Sequence, residues 1–219
     1  MVKIDTGDTK NSMFITLEGI DGSGKSTQLK NITDFLEERI PSQYLVTREP
    51  GGWDGGKLLK KVLLETQDLH VVTECLLFLA DRNEHVQRVI APALKQGLCV
   101  VCERYMDSTQ AYQVGKNCVS EDFMRCFSAF FSFPLPDLTL FYSISPEDAL
   151  KRISQRSSLD TIEARGIHFL EKVANQYEVL CRDNPLRMIQ IDASASSEMV
   201  WENTKKILRI RWKQRDPEV

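Results

Sequence analysis

The feature that most limits what this chain can fold into is the glycine-rich pattern Gly19-x-x-x-x-Gly24-Lys25-Ser26. Glycines let the backbone turn tightly, so that several N–H groups point at one anion. Lys25 can reach the outer phosphates of a nucleotide, and the Ser26 hydroxyl can coordinate Mg²⁺. We therefore predict a phosphate-binding loop; a glycine-rich turn without a ligand is the alternative. Its residues are Gly19, Ile20, Asp21, Gly22, Ser23, Gly24, Lys25, Ser26 and Thr27.

The segments on either side of the loop agree with this interpretation. A short β-prone run at 13–18 precedes it, and apolar residues spaced three or four positions apart, as in a helix, follow it. The same alternation continues along the chain, with further strand candidates at 43–47, 98–103, 138–143 and 187–191. Alternating strands and helices predict an α/β layered domain around a parallel sheet.

Length and charge narrow the possible classes of protein. A chain of 219 residues suits one domain, and a net charge of −3 argues against nucleic acid as the main partner. No apolar run approaches the roughly 18 residues that span a membrane. Residues 1–12 are polar and lack the apolar core of a signal peptide. We expect a disordered tail over 1–12, a single domain over 13–214 and a cytoplasmic location.

The six cysteines do not form a recognisable metal or redox motif. Cys99 and Cys102 match Cys-x-x-Cys, but they lie in a predicted strand, where an offset of three places side chains on opposite faces. We predict that these cysteines are buried free thiols.

Charged side chains stand at the ends of three predicted strands: Arg48 and Glu49, Glu103 and Arg104, and Asp192. Ligands of open α/β sheets bind at the carboxyl ends of the strands. We therefore expect these residues and the loop to meet at one edge of the sheet.

A helix start is well marked near residue 145. Ser145 is a good N-cap and Pro146 suits the first helical position. Arg152 and Arg156 lie four residues apart and share one face of this helix. That face is either a solvated basic surface or a mobile arm that brings a guanidinium to a transferring phosphoryl group.

Several segments, taken together, make the chain similar to the bacterial type of thymidylate kinase, a family of nucleoside monophosphate kinases. The resemblance runs from about Met13 to the last helix. Besides the loop, the matching segments are Arg-Glu-Pro-Gly-Gly at 48–52, Leu-Phe-Leu-Ala-Asp-Arg at 77–82, Glu-Arg-Tyr at 103–105, Ser-Thr-Gln-Ala-Tyr-Gln at 108–113, Pro-Asp-Leu-Thr-Leu at 136–140, Leu-Lys-Arg at 150–152 and Ile-Asp-Ala at 191–193.

The resemblance implies a three-layer P-loop NTPase fold, with a parallel five-stranded sheet flanked by helices and a short LID at about 152–165. It implies transfer of the γ-phosphoryl of ATP to dTMP, giving dTDP and ADP for dTTP biosynthesis, with Mg²⁺ as cofactor and a homodimer as the expected assembly. The chemistry of the residues agrees, because a phosphate acceptor is already anionic and needs arginines more than a general base.

The resemblance also assigns roles to individual residues. It makes Lys25, Arg104 and Arg156 catalytic, adds Arg152 to the loop residues that bind ATP, and gives Ser26 and Glu103 to the metal, although most relatives carry aspartate at position 103. The implied dTMP-binding residues are Asp21, Arg48, Phe78, Arg82, Arg104, Ser108, Tyr112 and Gln113. Phe78 would stack on thymine, and Arg82 would donate to an exocyclic oxygen of the base.

The residues alone leave structural alternatives open. Arg48 could be a surface residue, Arg104 a member of a structural ion pair, and Phe78 a core side chain. Asp21 could simply favour a turn, and Glu103 could be a strand-end carboxylate bonded to backbone. Ordinary helix packing is the alternative for Tyr112 and Gln113.

Two other functions also remain open at this point. A deoxynucleoside kinase would use Glu49 or Glu103 as a general base toward a 5′-hydroxyl. A nucleotide-gated switch would bind GTP or ATP without transfer, although the chain has no Asn-Lys-x-Asp segment for guanine.

Alanine in place of Lys25 or Arg156 is expected to lower kcat by at least about 100-fold, because each side chain would neutralise charge in the transition state. Steady-state ADP release with dTMP as acceptor measures the effect. A folded Arg156→Ala protein with normal turnover would contradict the role given to the LID arginine.

Overall fold

A computed structural model describes residues 12–114, 120, 122–123, 126, 130–131, 133–155 and 166–215. Nearly all of the predicted N-terminal tail and most of the predicted LID, including Arg156, lie outside these ranges.

The fold is built on five parallel strands arranged in the order β2-β3-β1-β4-β5. The strands are β1 (Phe14–Glu18), β2 (Tyr44–Arg48), β3 (Cys99–Glu103), β4 (Leu138–Ser143) and β5 (Met188–Asp192). Each of the five predicted strands is present, displaced by no more than one residue at either end. The predicted α/β class with a parallel five-stranded sheet is confirmed.

Burial explains why these runs form strands in this order. Strand β1 is buried along its whole length, and β3 and β4 are buried at every residue except the last. Strands covered by helices on both faces have nearly continuous apolar sequences, and these three strands are largely apolar. The edge strands β2 and β5 are only partly buried.

Helices cover both faces of the sheet. In chain order they are α1 (Lys25–Arg39), α2 (Gly56–Glu65), α3 (Val71–His85), α4 (Ala91–Lys95), α5 (Met106–Thr109), α6 (Pro146–Ser154), α7 (Ile167–Asp183) and α8 (Ser197–Arg215). Single π-helical turns, Val86–Ile90 and Gln110–Val114, join α3 to α4 and extend α5. Within the described ranges, no helix combines the length and the apolar character needed to cross a bilayer.

The two faces of the sheet carry separate cores. Ile15, Val101 and Leu140 belong to the larger core, with residues of α1, α7 and α8. Phe14 and Val100 belong to the smaller one, with residues of α3 and α4. Alternate residues of β1 and β3 therefore point to opposite faces, as the pleat requires.

The cysteine prediction is confirmed for the two residues of β3. Cys99 lies in the larger core and Cys102 in the smaller one, so the pair faces opposite sides of the sheet. Both are buried free thiols. Among the other described cysteines, Cys75 is also buried and Cys181 is partly buried, but the prediction is wrong for Cys126, which is exposed.

Two local features hold segments that border the site. Ser145 caps α6, because its hydroxyl accepts a hydrogen bond from the Asp148 backbone N–H at 3.1 Å, as predicted. At the start of α5, the Asp107 carboxylate accepts two hydrogen bonds from Arg187. Nη1 donates to Oδ2 at 2.7 Å, and Nη2 donates to Oδ1 at 2.9 Å. Such a bidentate pair fixes orientation as well as distance.

The turn between β1 and α1 packs directly on α6. Gly22 has φ +79°, and a Cβ there would lie 2.5 Å from the Ala149 carbonyl oxygen. Gly24 has a similar φ of +87°, but a Cβ there would meet nothing within 4 Å.

These two glycines form a matched pair for a stability measurement. Gly24→Ala should lower the free energy of unfolding by about 1 kcal/mol, the cost of a left-handed conformation for a residue with a Cβ. Gly22→Ala should cost at least about 1 kcal/mol more, because the turn must also move away from α6. Urea unfolding compares the variants, and equal losses would show that the contact with Ala149 does not matter.

Candidate active site

The glycine-rich segment forms a tight turn at the carboxyl end of β1, before the first turn of α1. Gly19, Gly22 and Gly24 have φ values of +141°, +79° and +87°, which residues with a side chain rarely adopt. The N-terminus of α1 directly follows, and the free N–H groups and dipole of a helix start favour an anion. The predicted loop therefore has the geometry of an anion-binding turn.

Lys25 lies against the inside of its own loop. Its Nζ donates to the carbonyl oxygens of Gly19 and Ile20 at 3.0 and 2.8 Å, and to Ser23 Oγ at 3.3 Å. Burial and the nearby Arg104 guanidinium lower the pKa of Lys25 to about 8. Because an anion in the loop would favour the charged ammonium, phosphate binding and the ionisation of Lys25 reinforce each other.

Two oxygen-bearing side chains meet beside the loop. Ser26 Oγ, at the first turn of α1, donates to Glu103 Oε1, at the end of β3, at a distance of 3.0 Å. A hydroxyl and a carboxylate next to a phosphate-binding turn have the ligand chemistry that Mg²⁺ prefers. Among the described residues, the hydrogen bond of the Glu103 carboxylate is therefore to a side chain.

Arg104 joins the loop to the elements on its other side. Its Nη1 donates to Gly19 O at 3.1 Å and to Ser108 Oγ at 3.2 Å, while Nη2 donates to Asp21 Oδ1 at 2.5 Å. Its φ of +66° is strained for a residue other than glycine. The structural ion pair expected as the alternative role of Arg104 is thus present, with Asp21 as the partner.

The groups around Asp21 favour its ionised form. Burial opposes its charge, but Arg104, Lys25 and the hydroxyl of Tyr112 keep the pKa of Asp21 below its ordinary value. The Tyr112 hydroxyl donates to Asp21 Oδ2 at 3.0 Å. The loop thus carries a fixed negative charge next to the guanidinium of Arg104.

A pocket borders the loop and brings together all eight residues predicted for the acceptor site and the two predicted metal ligands. The acceptor-site residues are Asp21, Arg48, Phe78, Arg82, Arg104, Ser108, Tyr112 and Gln113, and the metal ligands are Ser26 and Glu103. Glu49, Pro50, Lys60, Leu64 and Thr109 complete the lining. Arg48 is exposed at the end of β2, and its guanidinium has no hydrogen bond or ion pair with any described residue.

Arg82 lines the same pocket but is already fully bonded to protein. It is 2% exposed. Its Nε and Nη2 both lie 2.7 Å from Glu49 Oε2, its Nη1 donates to Thr109 Oγ1 at 2.7 Å, and its Nη2 also donates to Tyr105 O at 2.8 Å. Its weakest bond runs from Nη1 to Met106 Sδ at 3.4 Å, and a ligand oxygen could replace it.

Glu49, which has both oxygens engaged, anchors a buried polar network. Glu49 Oε2 accepts a hydrogen bond from Arg82, and Glu49 Oε1 lies 3.0 Å from His85 Nδ1. On the other side of the imidazole ring, His85 Nε2 lies 2.7 Å from Thr47 Oγ1. A carboxylate only accepts, so the His85 Nδ1–H donates to Glu49, and in the neutral imidazole Nε2 then accepts from the Thr47 hydroxyl.

Glu49, His85 and Cys102 are also a group of possible metal ligands within the described ranges, with ligand atoms within 4.8 Å of one another. The hydrogen bonds just described already occupy the carboxylate and the imidazole. Burial raises the pKa of the Cys102 thiol well above its ordinary value, which disfavours the thiolate that a metal needs. These three residues therefore belong to a buried hydrogen-bond network and do not form a metal site.

Arg152 contacts the loop but does not line the pocket. Its Nη1 donates to Gly22 O at 3.4 Å, and its Nη2 donates to Ala193 O, just after β5, at 3.0 Å. It therefore bridges the loop to the β5–α8 connection. Thr27 is exposed on α1 and does not line the pocket.

Sequence reasoning missed Glu18, the last residue of β1. It is fully buried and accepts the Tyr105 N–H at 2.7 Å, the Ser108 hydroxyl at 2.5 Å and the Tyr177 hydroxyl at 2.9 Å. Burial and the nearby Asp107 raise the pKa of Glu18 to about 7. An acidic residue at the end of a largely apolar strand was the available signal in the sequence.

A phosphate-binding turn and an arginine-rich pocket that meet at the carboxyl edge of a parallel sheet define a P-loop nucleotide kinase. Comparisons with known proteins agree with this class. The family model described as thymidylate kinase matches residues 17–204. The chain belongs to the thymidylate kinase family, whose members are enzymes that phosphorylate dTMP to dTDP in nucleotide biosynthesis with ATP as a substrate.

Individual relatives are similar over most of their length. The thymidylate kinase of Mesoplasma florum is 40% identical over 200 residues, which cover 90% of this chain and 94% of the relative. That of Mycoplasma capricolum is 38% identical over 217 residues, which cover 93% and 98%. The crystal structure of thymidylate kinase from Ehrlichia chaffeensis superposes with a TM-score of 0.76 at 28% identity, covering 90% of this chain and 99% of that one.

The buried carboxyl of Glu18 predicts a pH dependence of stability. Its pKa is about 7 in the folded protein against 4.5 in an unfolded chain, so the folded state binds the proton more tightly. The stabilisation is complete below about pH 4.5 and is lost as the pH rises through about 7, a change of about 3 kcal/mol.

Glu18→Gln, which stays neutral, should therefore show a smaller loss of unfolding free energy between pH 5 and pH 8 than the native protein. Urea unfolding across this range measures it, with the exposed Glu202→Gln as the control. A Glu18→Gln profile parallel to that of the native protein would show that Glu18 does not hold the proton.

Proposed function

We propose that this protein transfers the γ-phosphoryl of ATP to the 5′-phosphate of dTMP, giving dTDP and ADP for dTTP biosynthesis. The observation that carries the proposal is that the phosphate-binding turn and the pocket share residues. Asp21 and Ser26 belong to the turn and also line the pocket, and Arg104 is bonded to both. Two phosphorylated ligands, one on each side, would therefore meet end to end.

On the donor side, the loop N–H groups and Lys25 would hold the β- and γ-phosphates. Arg152, between the loop and the β5–α8 connection, would contact the nucleotide behind them. Arg156, outside the described residues, would supply a second guanidinium to the transferring group.

On the acceptor side, Arg48 and Arg104 would offset the charge of the dTMP phosphate. Arg48 has its donors available, whereas Arg104 is pre-oriented by Gly19, Asp21 and Ser108. A guanidinium held in place before the substrate arrives needs little reorganisation during transfer.

The nucleoside part of dTMP would lie deeper in the pocket. Phe78 would stack on thymine, with Arg82 and Gln113 along the edge of the base and Ser108 nearer the phosphate. Asp21 and Tyr112 would meet the deoxyribose. The Tyr112 hydroxyl donates to Asp21, and the Tyr112 ring would crowd a 2′-hydroxyl on the sugar.

The adjacent Ser26 and Glu103 oxygens would hold Mg²⁺. When bound, the ion supplies neutralisation of phosphate charge. The Glu103 side chain, which is one methylene longer than aspartate, accepts the Ser26 hydroxyl from the end of β3.

Transfer to a neutral 5′-hydroxyl is less well supported than transfer to a phosphate. Such a reaction benefits from a carboxylate base, and both oxygens of Glu49 are bonded to Arg82 and His85. Glu103 already accepts from Ser26. The pocket instead offers several arginines, which suit an anionic acceptor.

We also propose a cytoplasmic homodimer that acts on small nucleotides and not on nucleic acid. Exposed apolar side chains on α2 and α3 support pairing between copies: Leu58 is 70% exposed and Leu76 is 50% exposed. These two helices pack against each other.

An acceptor panel at fixed ATP and Mg²⁺ tests the activity, with ADP release as the readout. We expect turnover with dTMP and none above background with thymidine. Arg48→Ala should raise the KM for dTMP at least about 10-fold, because a charged hydrogen bond to phosphate is lost. Arg209→Ala, exposed on α8 outside the pocket, is the control. Preference for thymidine, or nucleotide binding without any acceptor-dependent turnover, would contradict the proposal.

A further inference from the structure

Only the nitrogen end of the Gln113 side-chain amide has a hydrogen-bond partner among the described residues. Its Nε2 donates to Glu74 Oε1 at 2.9 Å. Its Oε1 is buried and has no hydrogen-bond partner, although Gln113 is only 1% exposed. A buried acceptor without a donor is costly, so this oxygen is suited to a donor that arrives with a ligand.

Glu74 determines which end of the amide faces away from it. A carboxylate accepts and does not donate, so it can pair with the NH₂ end of Gln113 but not with the carbonyl end. Glu74 is 2% exposed and lies in the first turn of α3, where the helix dipole favours a negative charge. A flipped Gln113 would bring two acceptors together. The amide orientation is therefore set by Glu74.

The pair belongs to the base-binding end of the pocket. Gln113 lines the pocket together with Phe78 and Arg82. Glu74, Phe78 and Arg82 occupy positions i, i+4 and i+8 of α3, so they follow one another along one side of the same helix. A single helix thus carries the ring that would stack on the base, the guanidinium beside it and the carboxylate that orients Gln113.

We propose that Glu74 is a positioning residue that makes the site select bases with an N3–H group. This inference rests on the proposed function. Gln113 Oε1, kept as an acceptor, matches the N3–H donor of thymine or uracil and opposes the N3 lone pair of cytosine. Arg82, which has only donors, matches a 4-carbonyl oxygen and opposes a 4-amino group. Discrimination then arises from unpaired polar groups with the wrong base.

Glu74→Gln tests the proposal with little change in volume. An amide side chain at position 74 can pair with either end of Gln113, so the orientation is no longer fixed. We expect the ratio of kcat/KM for dTMP to that for dCMP to fall at least about 10-fold, chiefly through a higher KM for dTMP. Inhibition of dTMP turnover by dCMP supplies the comparison where dCMP turnover is slow. The ratio of dTMP to dUMP should not change, because both bases carry N3–H.

A double variant, E74Q/Q113E, separates orientation from simple packing. The amide introduced at position 74 would donate to the carboxylate introduced at position 113, whose other oxygen again can only accept. We expect this variant to regain most of the dTMP preference over dCMP, which a merely structural role would not produce. Glu65→Gln, exposed on α2, is the control, and thermal unfolding checks that each variant is folded.

Two results would overturn the inference. One is an unchanged dTMP to dCMP ratio in Glu74→Gln, and the other is a failure of the folded double variant to regain it. In either case native protein that phosphorylates dTMP leaves the proposed function intact. Native protein that does not use dTMP would contradict the proposed function itself, and with it this inference.

Discussion

The guanidinium of Arg104 is the group on which the rest of the site depends. It binds the backbone of Gly19 and the carboxylate of Asp21 on the loop, and the hydroxyls of Ser108 and Tyr112 on the helical segment after β3. No other described side chain contacts the loop and the acceptor pocket through so many bonds. Its backbone lies in a strained conformation, which the parallel pairing of β1 and β3 supports through the bond from Arg104 N to Leu17 O.

Below this contact, buried carboxylates hold the arginines and the helix starts in place. Glu18 fixes the start of α5 through Tyr105 and Ser108, and Glu49 holds Arg82. Each of these acids receives hydrogen bonds at both oxygens, which offsets the cost of burying a charged or polar group. Hydrogen-bonded, buried polar side chains therefore support the pocket, and among the described arginines that line it Arg48 is the one without a hydrogen bond or ion pair to a described residue.

The roles predicted for the base-binding residues illustrate how far a pattern of residues can lead. Phe78 and Arg82, one helical turn apart, do line the pocket. Spacing along α3 could not indicate that Arg82 is bonded to Glu49, which lies 33 residues earlier. Nor could it indicate that Gln113 is oriented by Glu74, 39 residues away, so that one amide oxygen is left for a ligand. These pairings exist only once α3 packs beside the segment that follows β3.

The amino-acid sequence by itself determined the five strands, the phosphate-binding turn, the cap at Ser145 and the opposite faces of Cys99 and Cys102. These features depend on the order of residues over a few positions, where backbone sterics and periodic burial decide the outcome. Tertiary structure alone decided the ionisation of buried groups and the partners of the arginines. Glu18 and Tyr177 are 159 residues apart in the chain yet 2.9 Å apart in space, and only the packing of α7 against the sheet brings them together.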